Sequence, residues 1–205
     1  MGKESRVCIS HRKDTSTMIR YVYCRDEVTN ETMFLERDRV ESAEYRLGGK
    51  HRVRQLIPYI VVVNKEGKIG AFQRIKGDKR LVNGVTIGVG GHVEPIDTVG
   101  KSKDILFSAA YRELEEELDI SDPASLEMTN ININSDSTAV DSVHSGVVFV
   151  VEPKGRLTCR DGELEFLGWK TFNELAHMNL ESWSTLIRKD LEKWMLKPFS
   201  KRVRE

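Results

Sequence analysis

The segment GVGGHVEPIDTVGKSKDILFSAAYRELEEELDI, Gly88 to Ile120, decides how the rest of the chain is organised. It runs from a glycine turn through a polar loop into a helix. At about 100° per residue, Glu113, Glu116 and Glu117 fall in one sector of that helix. Phe107, Ala110, Tyr111, Leu114 and Leu118 fill another and form an apolar stripe. A helix of this pattern buries one side and presents carboxylates on another. Such a cluster repels itself unless a cation neutralises it, and an all-oxygen donor set suits Mg2+ or Mn2+. Ser102 or Asp104 caps the start. Asp119 is expected to end the helix, because Asp is among the few non-glycine residues that visit the left-handed region.

Around this segment the pattern is that of strands and a late helix. Leu56–Val63 (LIPYIVVV) is apolar and β-branched throughout, which predicts a central strand buried on both faces. Asn64–Gly67 reads as a hairpin turn, with Lys68–Ile75 as the partner strand and Val82–Val89 as a third extended segment. Strands are also expected at Arg6–His11, Met18–Cys24, Leu126–Ile133, His144–Glu152 and Glu163–Lys170. Leu157–Gly162 reads as a turn region. Phe172–Met178 starts a short helix. In Ser182–Leu196, Trp183, Leu186, Ile187, Leu191, Trp194 and Met195 recur at spacings of three and four, which predicts an amphipathic helix. The charge-dense run Glu36–Arg54 reads as solvated surface.

Composition narrows the function. Lys+Arg and Asp+Glu balance at 32 each over 205 residues, so no global field draws nucleic acid or a membrane, and a polyanionic substrate needs a local cluster. Nothing approaches the ~18 apolar residues of a membrane span. The N-terminus lacks an apolar signal region, and Cys8, Cys24 and Cys159 fit no zinc spacing. A cytoplasmic protein with reduced thiols and a small-molecule partner is expected.

The decisive segment resembles the Nudix hydrolase box, G-x5-E-x7-R-E-U-x-E-E-x-G-U, where U is a bulky aliphatic residue. Gly91 matches the opening Gly. Arg112-Glu113-Leu114-Glu115-Glu116-Glu117 matches R-E-U-x-E-E without a break, and Ile120 matches the last U. Three positions depart. Asp97 stands at the first Glu, fourteen residues rather than seven separate it from Arg112, and Asp119 replaces the late Gly. The resemblance covers about Leu56 to Met178.

It implies a Nudix-like α/β/α sandwich, a mixed β-sheet between helices in the α+β and α/β range. Residues 1–54 form an extension, 55–180 the catalytic domain, and 181–205 a C-terminal helix and basic tail of the same domain. It implies a Mg2+- or Mn2+-dependent hydrolase that cleaves the pyrophosphate bond of a nucleoside diphosphate linked to another moiety. Glu113 and Glu117 are then metal ligands. Glu116 is a ligand or the base, and Arg112 orients a carboxylate. Gly91 offers a carbonyl, and Asp97 is a shorter first acid or a turn residue. Arg74, Glu94 and Glu165 are weaker candidates for substrate contact, and Glu163 is an alternative to Glu165. A homodimer is among the expectations, with residues 1–54 covering the site or pairing copies. Two other readings stay open: a nucleotide-binding regulatory module on a degenerate Nudix scaffold, and an isoprenoid-diphosphate isomerase. The isomerase requires a catalytic cysteine, and none of the three lies in a glycine-turn or acidic context in the sequence. His92 reads as structural, and Tyr59 and Phe72 as core residues.

Overall fold

The structure is a computed structural model that describes residues 6–11, 34–36, 53–76, 81–99, 104–120, 123–160 and 162–197. The expected strand Met18–Cys24, the cap Ser102, most of Glu36–Arg54 and the basic tail lie outside the described residues.

The central strand is β3, Val53–Val62. Its side chains alternate between two buried faces, as a period of two requires. Leu56, Ile60 and Val62 join one apolar cluster, and Tyr59, Val61 and Val63 join the other. The first cluster contains Leu106, Ala109, Ala110 and Leu114 of α1, Ile105–Glu117. The second contains Ile187, Leu191 and Trp194 of α3, Ser182–Leu196. The sheet is therefore sandwiched between these helices, in the mixed α+β architecture that the resemblance implies.

On one side β3 pairs in parallel with β9, His144–Pro153, which in turn pairs antiparallel with β8, Pro123–Ile133. β3 also pairs antiparallel with β1, Arg6–His11, and β1 with β2, Phe34–Glu36. The described part of the N-terminal extension thus extends the main sheet. Beyond β1, the chain from Gly88 to Val93 runs along β3. Its β6, Gly88–Val89, pairs with Ile60 and Val61, and Val93 N–H donates to Leu56 O at 3.2 Å. This register fixes the glycine turn against the strand.

The structure corrects four expectations. The Asn64–Gly67 turn forms, but the segment after it does not pair along β3. Apart from a single bridge at Val63–Ile69, β4 (Ile69–Arg74) enters a second sheet between β11 (Leu164–Lys170) and β5 (Val85–Thr86). The extended segment Val82–Val89 is split at Ile87, so that β5 joins the second sheet and β6 the first. The helix α1 starts on the Asp104 cap, whose Oδ1 accepts from Leu106 N–H at 2.9 Å. It does not end on a left-handed Asp119. Its cap Leu118 is already extended at φ −128°, and the chain continues as β7, Leu118–Ile120. β7 pairs with β10, Leu157–Cys159, inside the segment expected to be a turn. Asp119 instead accepts from Arg160 Nη2 at 3.1 Å. The short helix α2 covers Phe172–Ala176, capped by Thr171 with a reciprocal bond from Glu174.

Candidate functional site

Arg112 is the hub of the box. Its Nε and Nη2 donate to the two Asp97 oxygens at 2.9 Å each. Nη1 donates to Glu113 Oε1 at 2.7 Å, and Nη2 also reaches His92 O at 2.7 Å. The contact to Glu116 Oε1 is longer, at 3.4 Å. One guanidinium therefore ties the helix to the loop that begins at the glycine turn. A two-pronged Arg–carboxylate bond is both strong and directional. Burial alone would lower the Arg112 proton affinity; the Asp97 bonds and the charges of Glu113 and Asp97 more than reverse this and raise it.

Asp97 sits in a one-turn 3-10 helix, Pro95–Val99, and is 2% exposed. Its Oδ2 also accepts from Glu94 N–H at 2.8 Å. Both Asp97 oxygens are taken up by Arg112, so Asp97 is more than a turn residue and does not join the open carboxylate face. It faces Arg112 with both oxygens. The expectation of a metal ligand at Asp97 meets this different geometry: the carboxylate is already engaged as the counter-charge of Arg112.

The three helix acids form a gradient from buried to exposed. Glu113 is buried, Glu117 is half-buried, and the Glu116 side chain is 52% exposed. Glu113 lies against Gly91, where a Cβ would stand 2.5 Å from both Cδ and Oε1 of the carboxylate. Only glycine allows this approach. Gly91→Ala is expected to cost roughly 1–3 kcal/mol of stability by overpacking, read as a lower urea midpoint.

Desolvation pushes the Glu113 carboxyl up to about 7, with Arg112 opposing and the charges of Glu116 and Glu117 adding to the rise. The sign for stability follows from tighter proton binding in the folded state. In metal-free protein, stability is fullest below the unfolded value of 4.5 and falls as pH rises toward about 7. The fall amounts to about 3 kcal/mol. Urea midpoints across this window should decline in the wild type and stay flatter in Glu113→Gln.

These features suit a divalent cation. The donors are hard carboxylate oxygens on one helix face. Glu113 Oε2 accepts no hydrogen bond among the described residues, and burial raises the proton affinity of a carboxyl that a cation could neutralise instead. As they stand, no three His, Cys, Asp or Glu side chains among the described residues converge on one point.

The weaker candidates scatter. Arg74 closes β4 and lines a cleft beside the glycine turn, with Nε 3.4 Å from Glu181 Oε1. Burial raises the Glu181 carboxyl, and Arg74 opposes the rise. Glu94 contributes its N–H to Asp97. Glu165 is exposed on β11 opposite Gln73. Burial first, then the charge of Glu117 and, more weakly, that of Glu165 raise the Cys159 thiol. Cys159 therefore does have acidic surroundings, contrary to expectation. Burial first, and these charges after it, disfavour the thiolate, which is the nucleophilic form.

The sequence did not single out the cleft as a site. It has a volume of about 180 Å³ and is walled by Tyr59, Gly90, Gly91, His92, His144 and Trp183. A larger cavity of about 500 Å³ adjoins it through Leu81, Val140, Glu181 and Ser182. No local pattern could have revealed it, because the wall is gathered from six separate stretches. No helix among the described residues is long and apolar enough to cross a membrane.

Comparison with known proteins identifies the family and the fold. A model of the NUDIX domain matches residues 53–191, more than half of the chain. Protein YmaB of Bacillus subtilis (strain 168) is 29% identical over 211 residues, covering 94% of this chain and 100% of that protein. Among solved structures, Tm1382, a candidate Nudix hydrolase, superposes with a TM-score of 0.65 at 24% identity, covering 92% of this chain and 98% of that one. DR0079 from Deinococcus radiodurans gives 0.56 at 16% identity, with 90% and 98% covered. The NUDIX domain of Shewanella oneidensis NrtR, complexed with ADP ribose, gives 0.54 at 13% identity, with 69% and 88% covered. At these identities the superpositions show a shared fold.

Proposed function

Because the chain belongs to the NUDIX family, whose members hydrolyse nucleoside diphosphate-linked compounds, we propose that it is a divalent-metal-dependent hydrolase of a pyrophosphate bond. Its substrate is a nucleoside diphosphate joined to another moiety. The observation that carries this reading is the Arg112 hub. It fixes Glu113 at the glycine turn with one oxygen engaged and the other left to accept a cation. The NrtR domain, which holds ADP ribose, supports a nucleotide-type ligand for this fold.

Glu113, Glu117 and Glu116, with the Gly91 backbone beside them, would hold Mg2+ or Mn2+. The ion supplies charge neutralisation of the diphosphate oxygens, whose mutual repulsion otherwise shields phosphorus from attack. Glu116, the most exposed of the three, is placed to accept the proton of the attacking water. Water adds at phosphorus, the bridging P–O bond breaks, and two phosphorylated products leave. Arg112 acts by positioning: it holds Glu113 while Asp97 holds it. Arg74 is placed to meet the substrate from the cleft. Glu94 and Glu165 remain weaker candidates for substrate contact.

A hydrolysis screen with Mg2+ tests this. It should include nucleoside diphosphate sugars, dinucleoside polyphosphates, nucleoside triphosphates and ADP-ribose. Turnover of at least one compound, abolished by chelator, is expected. The second reading, a non-catalytic nucleotide-binding module, is favoured by the absence of three converging ligands among the described residues. It predicts nucleotide binding with no turnover of any compound. The upward shift of the Cys159 thiol, which disfavours the thiolate, argues against the isomerase reading.

A further inference from the structure

The N-terminal strands lie outside the region that matches the family, yet one of them is tied to the hub. β1 and β2 precede residue 53, where the match to the NUDIX domain begins. β1 pairs with β3 at Ile9–Gln55, Ser10–Arg54 and His11–Val53. One step further, this register would join Cys8 to Leu56. Val93 bridges them instead. Its N–H donates to Leu56 O at 3.2 Å, and its carbonyl accepts from Cys8 N–H at 2.8 Å.

The residues on either side of Val93 belong to the hub. His92 O accepts from Arg112 Nη2 at 2.7 Å, and Glu94 N–H donates to Asp97 Oδ2 at 2.8 Å. Three consecutive residues are thus tied in turn to α1, to the sheet and to Asp97. Planar trans peptides hold them at fixed spacing, so fixing Val93 fixes what His92 and Glu94 can reach. The side chains act in the same place. Cys8, Phe34 and Val93 are buried in one apolar cluster with Leu106, Ala110 and Leu114 of α1, the helix that bears the carboxylates. The strand supplies no reacting group. It braces the loop that Arg112 joins to Glu113.

We propose that β1 is a positioning element of the site: Cys8 N–H, acting through Val93, holds His92 and Glu94 where Arg112 and Asp97 can seat Glu113 against the glycine turn. Its consequence for turnover rests on the hydrolase reading.

The test compares Cys8→Pro with Cys8→Ala in the full chain. In a strand, the N–H and C=O of one residue point to the same neighbour. Cys8→Pro therefore removes the bond to Val93 and none to β2. Cys8→Ala keeps the N–H and loses only packing. The first readout needs neither metal nor turnover. Hydrogen exchange at the Glu94 amide should be about fivefold or more faster in Cys8→Pro and unchanged in Cys8→Ala, the scale of one hydrogen bond. The Leu191 amide of α3 serves as reference, so that any change in global stability cancels. The second readout is steady-state kinetics with Mg2+ on the best compound of the screen. Cys8→Pro should lower kcat about tenfold or more, with KM within about twofold. Cys8→Ala should lose stability without this loss of kcat. If Cys8→Pro does not fold, exchange in the wild-type protein at low urea decides. The Cys8 and Glu94 amides should open together, with one urea dependence. An unchanged Glu94 amide or wild-type kcat in Cys8→Pro, or Cys8 opening while Glu94 stays closed, overturns the proposal. Faster Glu94 exchange in Cys8→Pro, with no turnover of any compound by the wild type, would defeat the hydrolase reading and uphold the brace on the hub.

Discussion

Glu116→Gln and Glu117→Gln are each expected to lower turnover by about a hundred- to ten-thousandfold, with stability nearly unchanged. The two halves of this expectation have different causes. Glu116 is more than half exposed, and its ion pair among the described residues is the 3.4 Å contact to Arg112. Removing so exposed a charge costs about 0.5 kcal/mol or less. The chemistry, in contrast, loses a proton acceptor in one case and an anionic oxygen donor in the other. Gln keeps the size and polarity of Glu but offers no negative charge. Initial rates at saturating Mg2+ on the best compound of the screen, with thermal midpoints alongside, measure both halves. Undiminished turnover in both variants would remove the helix face from the mechanism.

Arg112→Ala is expected to be the most destabilising single change in the site, at about 3–5 kcal/mol. It leaves two carboxylates, Asp97 at 2% exposure and Glu113 at 6%, without their common counter-charge. It also removes the donor on His92 O that closes the loop onto the helix. Arg112→Lys restores charge but cannot span both Asp97 oxygens, so it should recover only part of the loss. Without Arg112, which opposes its rise, the Glu113 carboxyl binds a proton more readily, and protonation removes that buried charge. The deficit should therefore shrink as pH is lowered from 8 to 5. Urea unfolding at the two pH values decides this. A loss below about 1 kcal/mol at pH 8 would mean that the hub is merely a surface ion pair.

The long regular elements were legible in the sequence because their periodicity is written locally. β3 is read from an uninterrupted apolar run, α1 from its Asp104 cap and apolar stripe, and α3 from spacings of three and four. Pairing was less legible. The Asn64–Gly67 turn is correct, yet β4 belongs with β11, whose residues lie some ninety positions further on. Nothing local distinguishes a strand that returns to its neighbour from one that crosses to a second sheet. β7 and β10 are three residues each and exist through one another, so neither carries a periodic signal of its own.

The same division holds within the site. The spacing of Glu113, Glu116 and Glu117 announced a carboxylate face, but it did not show that Glu113 is buried against Gly91 while Glu116 reaches solvent. Asp97 was ambiguous because its partner, Arg112, lies fifteen positions further along the chain. Only the fold shows that Arg112 grips both of its oxygens. Trp183 read as a helix-face core residue by its spacing, and His92 and His144 carried no signal as a pair. Their meeting at the cleft depends on the parallel β3–β9 register and on α3 packing over it.

The account depends on divalent metal binding at the α1 carboxylates, and calorimetric titration tests it most directly. Mg2+ should bind saturably to the wild-type protein, and binding should weaken by at least about tenfold in the double variant Glu113→Gln, Glu117→Gln. Circular dichroism should show that variant to be folded. No saturable binding to the wild type, or equal binding to the folded double variant, would contradict the account.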